Sequence, residues 1–179
     1  MDAFEEIARV LLENDRFWTK YSVKVNLNKT EKKSVDKPTM PRPEIDLVAF
    51  DAVENKLYLI EVKSFLDSNG VKFEDVIQQY KTPHGRYKIL TSQTYQNAII
   101  KRLKEDWIKE GLINESTTVT FGLIAGKIAQ NKESQFENYF ATKGWFFWGP
   151  TQLKEKLTQL SKKAYENNTI TIVSKLMLK

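Results

Sequence analysis

Two runs, Ile45 to Phe50 and Lys56 to Phe65, are apolar apart from a few ionisable side chains, and a turn-forming stretch near Val53 to Asn55 separates them. The pattern predicts a β-hairpin. Turning about Val53 and Glu54 sets Asp46 opposite Glu61, and Glu44 opposite Lys63. Directly opposed side chains share a face, with Cβ atoms about 4.5 to 5.5 Å apart. Glu61 and Lys63, two apart in one strand, also project to one side. Two acids and one ammonium therefore converge on one patch of sheet. Burying such charges is costly unless each is paired or coordinated, so this patch limits the folds open to the chain. An antiparallel hairpin also excludes a purely parallel sheet.

The remaining elements arrange themselves around that hairpin. Phe4, Ile7, Ala8, Leu11 and Leu12 recur at helical spacing, predicting a helix over 2–14 with Asp2 as N-cap. Alternation from Tyr21 to Leu27 predicts a half-buried strand, and the Lys- and Pro-rich stretch 28–43 an exposed excursion. A short helix around Val76 to Tyr80 is expected, then a strand over Tyr87 to Leu90 and a long helix from Ser92 to Gly111. Val119 to Ile124 reads as a strand, the segment entered at Thr151 as a helix, and Ile170 to Leu178 as a closing strand. The expected product is an α/β fold, a mixed sheet flanked by helices.

A length of 179 residues without repeats suits one domain spanning 1–179. Its apolar runs are far shorter than the ~20 residues of a membrane span, and its N-terminus carries acids where a signal peptide is apolar. No membrane association and a cytoplasmic location are expected. With no Cys and a single His, the chain has no disulfides, thiolate chemistry or Cys-based metal sites. Any catalysis must come from carboxylates, Lys, Tyr or Ser. Charge divides unevenly, with 12 basic against 15 acidic residues over 1–75 and 16 against 8 over 76–179. The acidic half can hold a cation and the basic half a polyanion, or the lysines can form an ordinary wet surface.

Carboxylates that face each other repel unless a positive charge lies between them, and a hard cation with oxygen ligands meets that need. Mg²⁺ takes one or two carboxylates and completes its shell with water and phosphate oxygens, so Asp46 and Glu61 are candidate ligands. Lys63 beside them, partly desolvated and with a lowered pKa, could orient or deprotonate the attacking water.

These residues resemble the PD-(D/E)xK superfamily, the restriction-endonuclease-like nucleases. The match is carried by Pro43-Glu44-Ile45-Asp46 and Glu61-Val62-Lys63, with acids on an upstream helix. The resemblance implies a restriction-endonuclease-like mixed sheet, a nuclease core over 1–90 and a basic, aromatic-rich half over 91–179. It implies Mg²⁺ or Mn²⁺ held by Asp46, Glu61 and the Val62 carbonyl, with Lys63 catalytic and an auxiliary acid at Glu5 or Glu6, Glu5 being preferred. Gln78 and Gln79, before Tyr80, resemble an auxiliary feature of some members. Arg86 and Lys88 are candidate nucleic-acid contacts.

The expected activity is hydrolysis of phosphodiester bonds in DNA, with DNA as partner and a homodimer possible for cutting both strands. Two alternatives stay open: a non-catalytic nucleic-acid-binding or assembly module, and a nuclease acting on RNA or branched junctions. Asp46, Glu61 and Lys63 can also be a solvated, salt-bridged hairpin. The aromatics Tyr139, Phe140 and Trp145 to Trp148 can stack on bases, or belong to the core or a subunit contact.

Overall fold

The structure, a computed structural model, describes residues 2–178. Its frame is a five-stranded mixed sheet in the order β1-β2-β3-β4-β5. The strands are β1 (Trp18–Lys24), β2 (Glu44–Asp51), β3 (Lys56–Lys63), β4 (Thr118–Ala125) and β5 (Phe146–Trp148). The first three pair antiparallel, while β4 runs parallel to both β3 and β5. The hairpin register is the expected one, with Leu47 facing Ile60 and Phe50 facing Leu57.

Alternation along the strands sends side chains into two layers. Leu57, Leu59, Phe121 and Leu123 face the first, with Tyr95 and Ile99 of α5 (Gln93–Lys109) and Phe136 and Phe140 of α6 (Glu133–Lys143). Tyr58, Ile60, Val62 and Ile124 face the second, against Ala8, Leu11 and Leu12 of α1 (Ala3–Asn14) and Leu153 and Leu160 of α7 (Pro150–Lys162). The aromatics Tyr139, Phe140, Trp145 and Phe147 belong to the first layer, and Phe146 and Trp148 to the second. They make mutual edge-on and stacked contacts, such as Tyr139 with Trp145 and Phe146 with Trp148, so their role here is packing.

Several segments depart from the sequence expectation, among them β1, which spans Trp18–Lys24 where Tyr21 to Leu27 is expected, and α6 and β5, which answer to no expected element. Tyr87 to Leu90 is no strand, because α4 (Lys88–Thr91) winds there, with the Thr91 N–H donating to Tyr87 O at 3.0 Å. An apolar run this short fits a buried helical turn as well as a buried strand. Ile170 to Leu178 is also helical, as α8 (Thr169–Leu178). The Asn168 side chain accepts from the N–H groups of Ile170 and Thr171 at 2.9 and 3.3 Å, and that cap prevails over the strand preference of Ile and Val. The exposed excursion contains α2 (Lys29–Ser34), started by an Asn28–Glu31 capping box and tied to α5 by the Arg102–Glu31 ion pair at 2.7 Å. In β1 the alternation slips at Ser22, which has φ 49°; Val23 is buried while Tyr21 is exposed.

Contacts at one end of the sheet hold the N-terminus of α1 against the ends of β3 and β4. Asp2 caps α1, accepting from the N–H groups of Phe4 and Glu5, and Glu5 accepts in return from the Asp2 N–H at 3.1 Å. The Phe4 ring lies against Gly126, whose N–H donates to Lys63 O at 2.9 Å. A Cβ on Gly126 would sit 2.6 Å from Ser64 O and 3.0 Å from that ring. Gly126→Ala should therefore cost about 1–3 kcal/mol as overpacking and lower the melting temperature by roughly 2–4 °C per kcal/mol. Thermal unfolding followed by circular dichroism measures it, and an unchanged melting temperature would show that the backbone gives way freely.

Candidate metal and phosphodiester site

β2 and β3 carry the ionisable side chains to the end of the sheet where their pairing stops. The ladder runs no further than Leu47–Ile60. Beyond it, the Val62 N–H donates to Asp46 Oδ2 at 2.9 Å, so a side-chain carboxylate takes the place of a ladder carbonyl. Strand separation thus gives Asp46 of β2 a backbone anchor on β3.

Lys63 closes the arrangement. Its Nζ lies 2.9 Å from Asp46 Oδ2, 2.6 Å from Glu61 Oε1 and 3.0 Å from the Val62 carbonyl. Three oxygens from two strands therefore surround one positive atom. Asp46, Glu61 and Lys63 are all partly buried, which strengthens each attraction relative to the surface. Lys63 makes these pairs and none with Glu44, which is exposed and faces Lys24 of β1.

The electrostatics follow from burial and from this crowding. Burial pushes the Glu61 carboxyl up, the neighbouring Asp46 charge adds to it, and Lys63 offsets only part, leaving Glu61 at about 7. Burial pulls the Lys63 ammonium down, but Glu61 and Asp46 outweigh it and hold Lys63 above its ordinary value. The lowered Lys63 pKa expected from the sequence is reversed for that reason.

The other candidate residues divide by position. Glu5 is partly buried and its carboxyl is raised, first by burial and further by the charges of Asp2 and Asp46, so α1 brings it within electrostatic reach of the site. Glu6 is turned to Arg9, which bonds it at 2.6 and 2.7 Å. Lys88 lies within electrostatic reach of Glu61, its Nζ 5.8 Å from the Tyr95 ring centre. Arg86 is exposed and lies 5.8 Å from the Phe65 ring centre, just beyond β3. Gln78 and Gln79 hydrogen-bond tyrosines. Gln78 caps the end of α3 (Phe73–Ile77) and accepts from the Tyr80 hydroxyl, while Gln79 bonds Tyr139.

Sequence reasoning missed two residues near the site. Tyr87 and Tyr95 are buried and feel the charge of Glu61, and burial pushes the Tyr87 hydroxyl up to about 12. In the sequence Tyr95 falls within the expected helix from Ser92 to Gly111 and Tyr87 opens the expected strand; neither residue type signals a site by itself.

The donor set fits a hard cation: two carboxylates and a carbonyl are the oxygen ligands Mg²⁺ or Mn²⁺ prefers, and they already converge on a positive atom. The cluster is small, since among the described residues no group of three or more His, Cys, Asp or Glu side chains is placed to hold a metal.

Compared with known proteins, the chain matches no family model and no curated protein. Among solved structures it is similar to one described as a protein of unknown function, AF1548, with 14% identity, 97% of this chain and 77% of that chain covered, and a TM-score of 0.48.

Glu61 binds its proton more tightly in the fold than its ordinary value of 4.5 allows, so the folded state carries the extra proton between 4.5 and about 7. Stability must then fall as pH rises through that window. Urea unfolding should show a loss of about 2 kcal/mol between about pH 5 and about pH 7.5. Glu61→Gln should flatten that slope; an equal slope in the variant would place the titration elsewhere.

Proposed function

We propose that this chain is a metal-dependent nuclease of restriction-endonuclease-like architecture that hydrolyses phosphodiester bonds in DNA. The observation that carries the reading is the convergence of Asp46 Oδ2, Glu61 Oε1 and the Val62 carbonyl on Lys63 Nζ within 2.6–3.0 Å. On this reading the ammonium occupies the place of a divalent cation, and Asp46, Glu61 and the Val62 carbonyl would hold Mg²⁺ or Mn²⁺. Such a cation, when bound, supplies Lewis-acid polarisation of the phosphoryl group and neutralises its charge.

The chain's own groups take defined parts. Asp46 is held by the Val62 N–H, so its carboxylate stays oriented when Lys63 moves away. Lys63 keeps its proton between two carboxylates and on leaving them can orient the attacking water, or hold a phosphate oxygen, by donating a hydrogen bond. Glu5, on the rim, adds negative charge beside Asp46. Lys88 supplies a cation for the phosphate backbone beside Glu61, and Arg86 another on the exposed rim.

A second reading is a non-catalytic nucleic-acid-binding or assembly module of the same fold. It is favoured by the completeness of the Lys63 ion pairs, which already satisfy both carboxylates, and by the small acid count of the cluster. Metal affinity separates the two.

With supercoiled plasmid in Mg²⁺ or Mn²⁺, we expect cleavage that EDTA abolishes. Asp46→Asn, Glu61→Gln and Lys63→Met should each slow it by on the order of 10²- to 10⁴-fold. Calorimetric Mn²⁺ titration should show a site that Asp46→Asn removes. Cleavage unchanged in all three variants would dismiss the site assignment. DNA binding with no metal titration and no cleavage would favour the second reading.

A further inference from the structure

Beside the carboxylate–lysine cluster lies a cleft of about 200 Å³ lined by Asp75, Tyr80, His84, Gly85, Arg86 and Tyr87. Tyr87 joins the two places. It lines the cleft and is buried, and its hydroxyl feels the charges of Lys63 and Glu61 as well as those of Asp75 and Arg86. Arg86 leans over Phe65, two residues beyond Lys63. The cleft is thus next to the position where a phosphodiester would lie on the reading above, on which this inference rests.

Its walls have a specific chemistry. The Tyr80 and His84 rings lie 5.2 Å apart between centres and 57° to one another, forming a partly exposed aromatic corner. Gly85, with φ +67°, has nothing within 4 Å of the position where its Cβ would be, so the floor is open on that side. Asp75 can accept from an exocyclic amino or ring N–H group, and Arg86 can donate to a phosphate. An aromatic corner, one acceptor and one guanidinium match a nucleotide, whose base presents a π-face and polar edges and whose phosphate is an anion. A base paired inside a duplex offers its face only to its neighbours in the stack, so the occupant must be unpaired.

We propose that this cleft receives an unpaired nucleobase, stacked on Tyr80 and His84, while the adjoining phosphate reaches Lys63. The substrate class that follows is single-stranded nucleic acid, or a duplex with an unpaired nucleotide at the cleavage position. Target choice would then depend on local strand opening.

The test is fluorescence anisotropy on the full chain in EDTA, where no strand is cut. A labelled single strand of about 12 nucleotides is competed by the same unlabelled strand and by an abasic strand of equal length. The base-bearing strand should compete at least about tenfold better than the abasic one. Tyr80→Leu and His84→Ala, made singly and together, should shrink that preference to under about threefold, and Tyr80→Phe should keep it. Equal competition by the two strands with the unaltered protein would overturn the proposal without recourse to any variant. So would a preference that survives in the double variant. A protein that prefers bases but never cuts DNA in Mg²⁺ or Mn²⁺ supports the base site and refutes the nuclease reading. One that cuts without any base preference refutes the base site alone.

Discussion

One ammonium among three oxygens holds this end of the molecule together. Without the Lys63 charge, Asp46 and Glu61 would stand as two partly buried carboxylates with no compensating ion pair between them. The sheet around them follows from that arrangement. β2 and β3 stop pairing at Leu47–Ile60, and the freed Val62 N–H finds its acceptor in the Asp46 side chain instead of a strand carbonyl. The Val62 carbonyl is likewise engaged, accepting from Lys63 Nζ at 3.0 Å.

Holding that cluster requires both helical layers. On one side, α1 lays Leu11 and Leu12 against Ile60 and Val62, and its capped first turn brings Glu5 to the end of the sheet. On the other, Tyr87, just before α4, and Tyr95 of α5 are buried core residues that feel the charge of Glu61, whose carboxyl burial raises most. The packing that stabilises the sheet and the field that tunes the site are produced by the same side chains.

The fold also redistributes the charge asymmetry of the chain. Several cations of the basic half are spent on acids of the first half: Arg102 on Glu31, Lys132 on Glu74 and Lys156 on Asp15. Lys104 and Lys175 instead donate to backbone carbonyls. Part of the surplus read from the sequence is therefore engaged within the fold. Lys88 and Arg86 gain significance from position rather than from number.

Much of this was legible in the residues. The hairpin register, the α1 cap at Asp2 and the mixed sheet follow from local alternation, a short turn and a capping residue, all of which act over a few positions. An Asn-x-x-Glu box at Asn28 and a cap at Asn168 were equally local signals for α2 and α8, and they went unread because Lys-, Pro- and Ile-rich surroundings pointed elsewhere. No sequence pattern shows that the ladder ends before Asp46, that Lys63 stays charged, or that Tyr80, His84 and Tyr87 meet in a cleft beside it. Those depend on which residues distant in the chain bury one another. Burial and the balance of neighbouring charges are sums over the whole fold, whereas periodicity and capping are properties of a single stretch of chain.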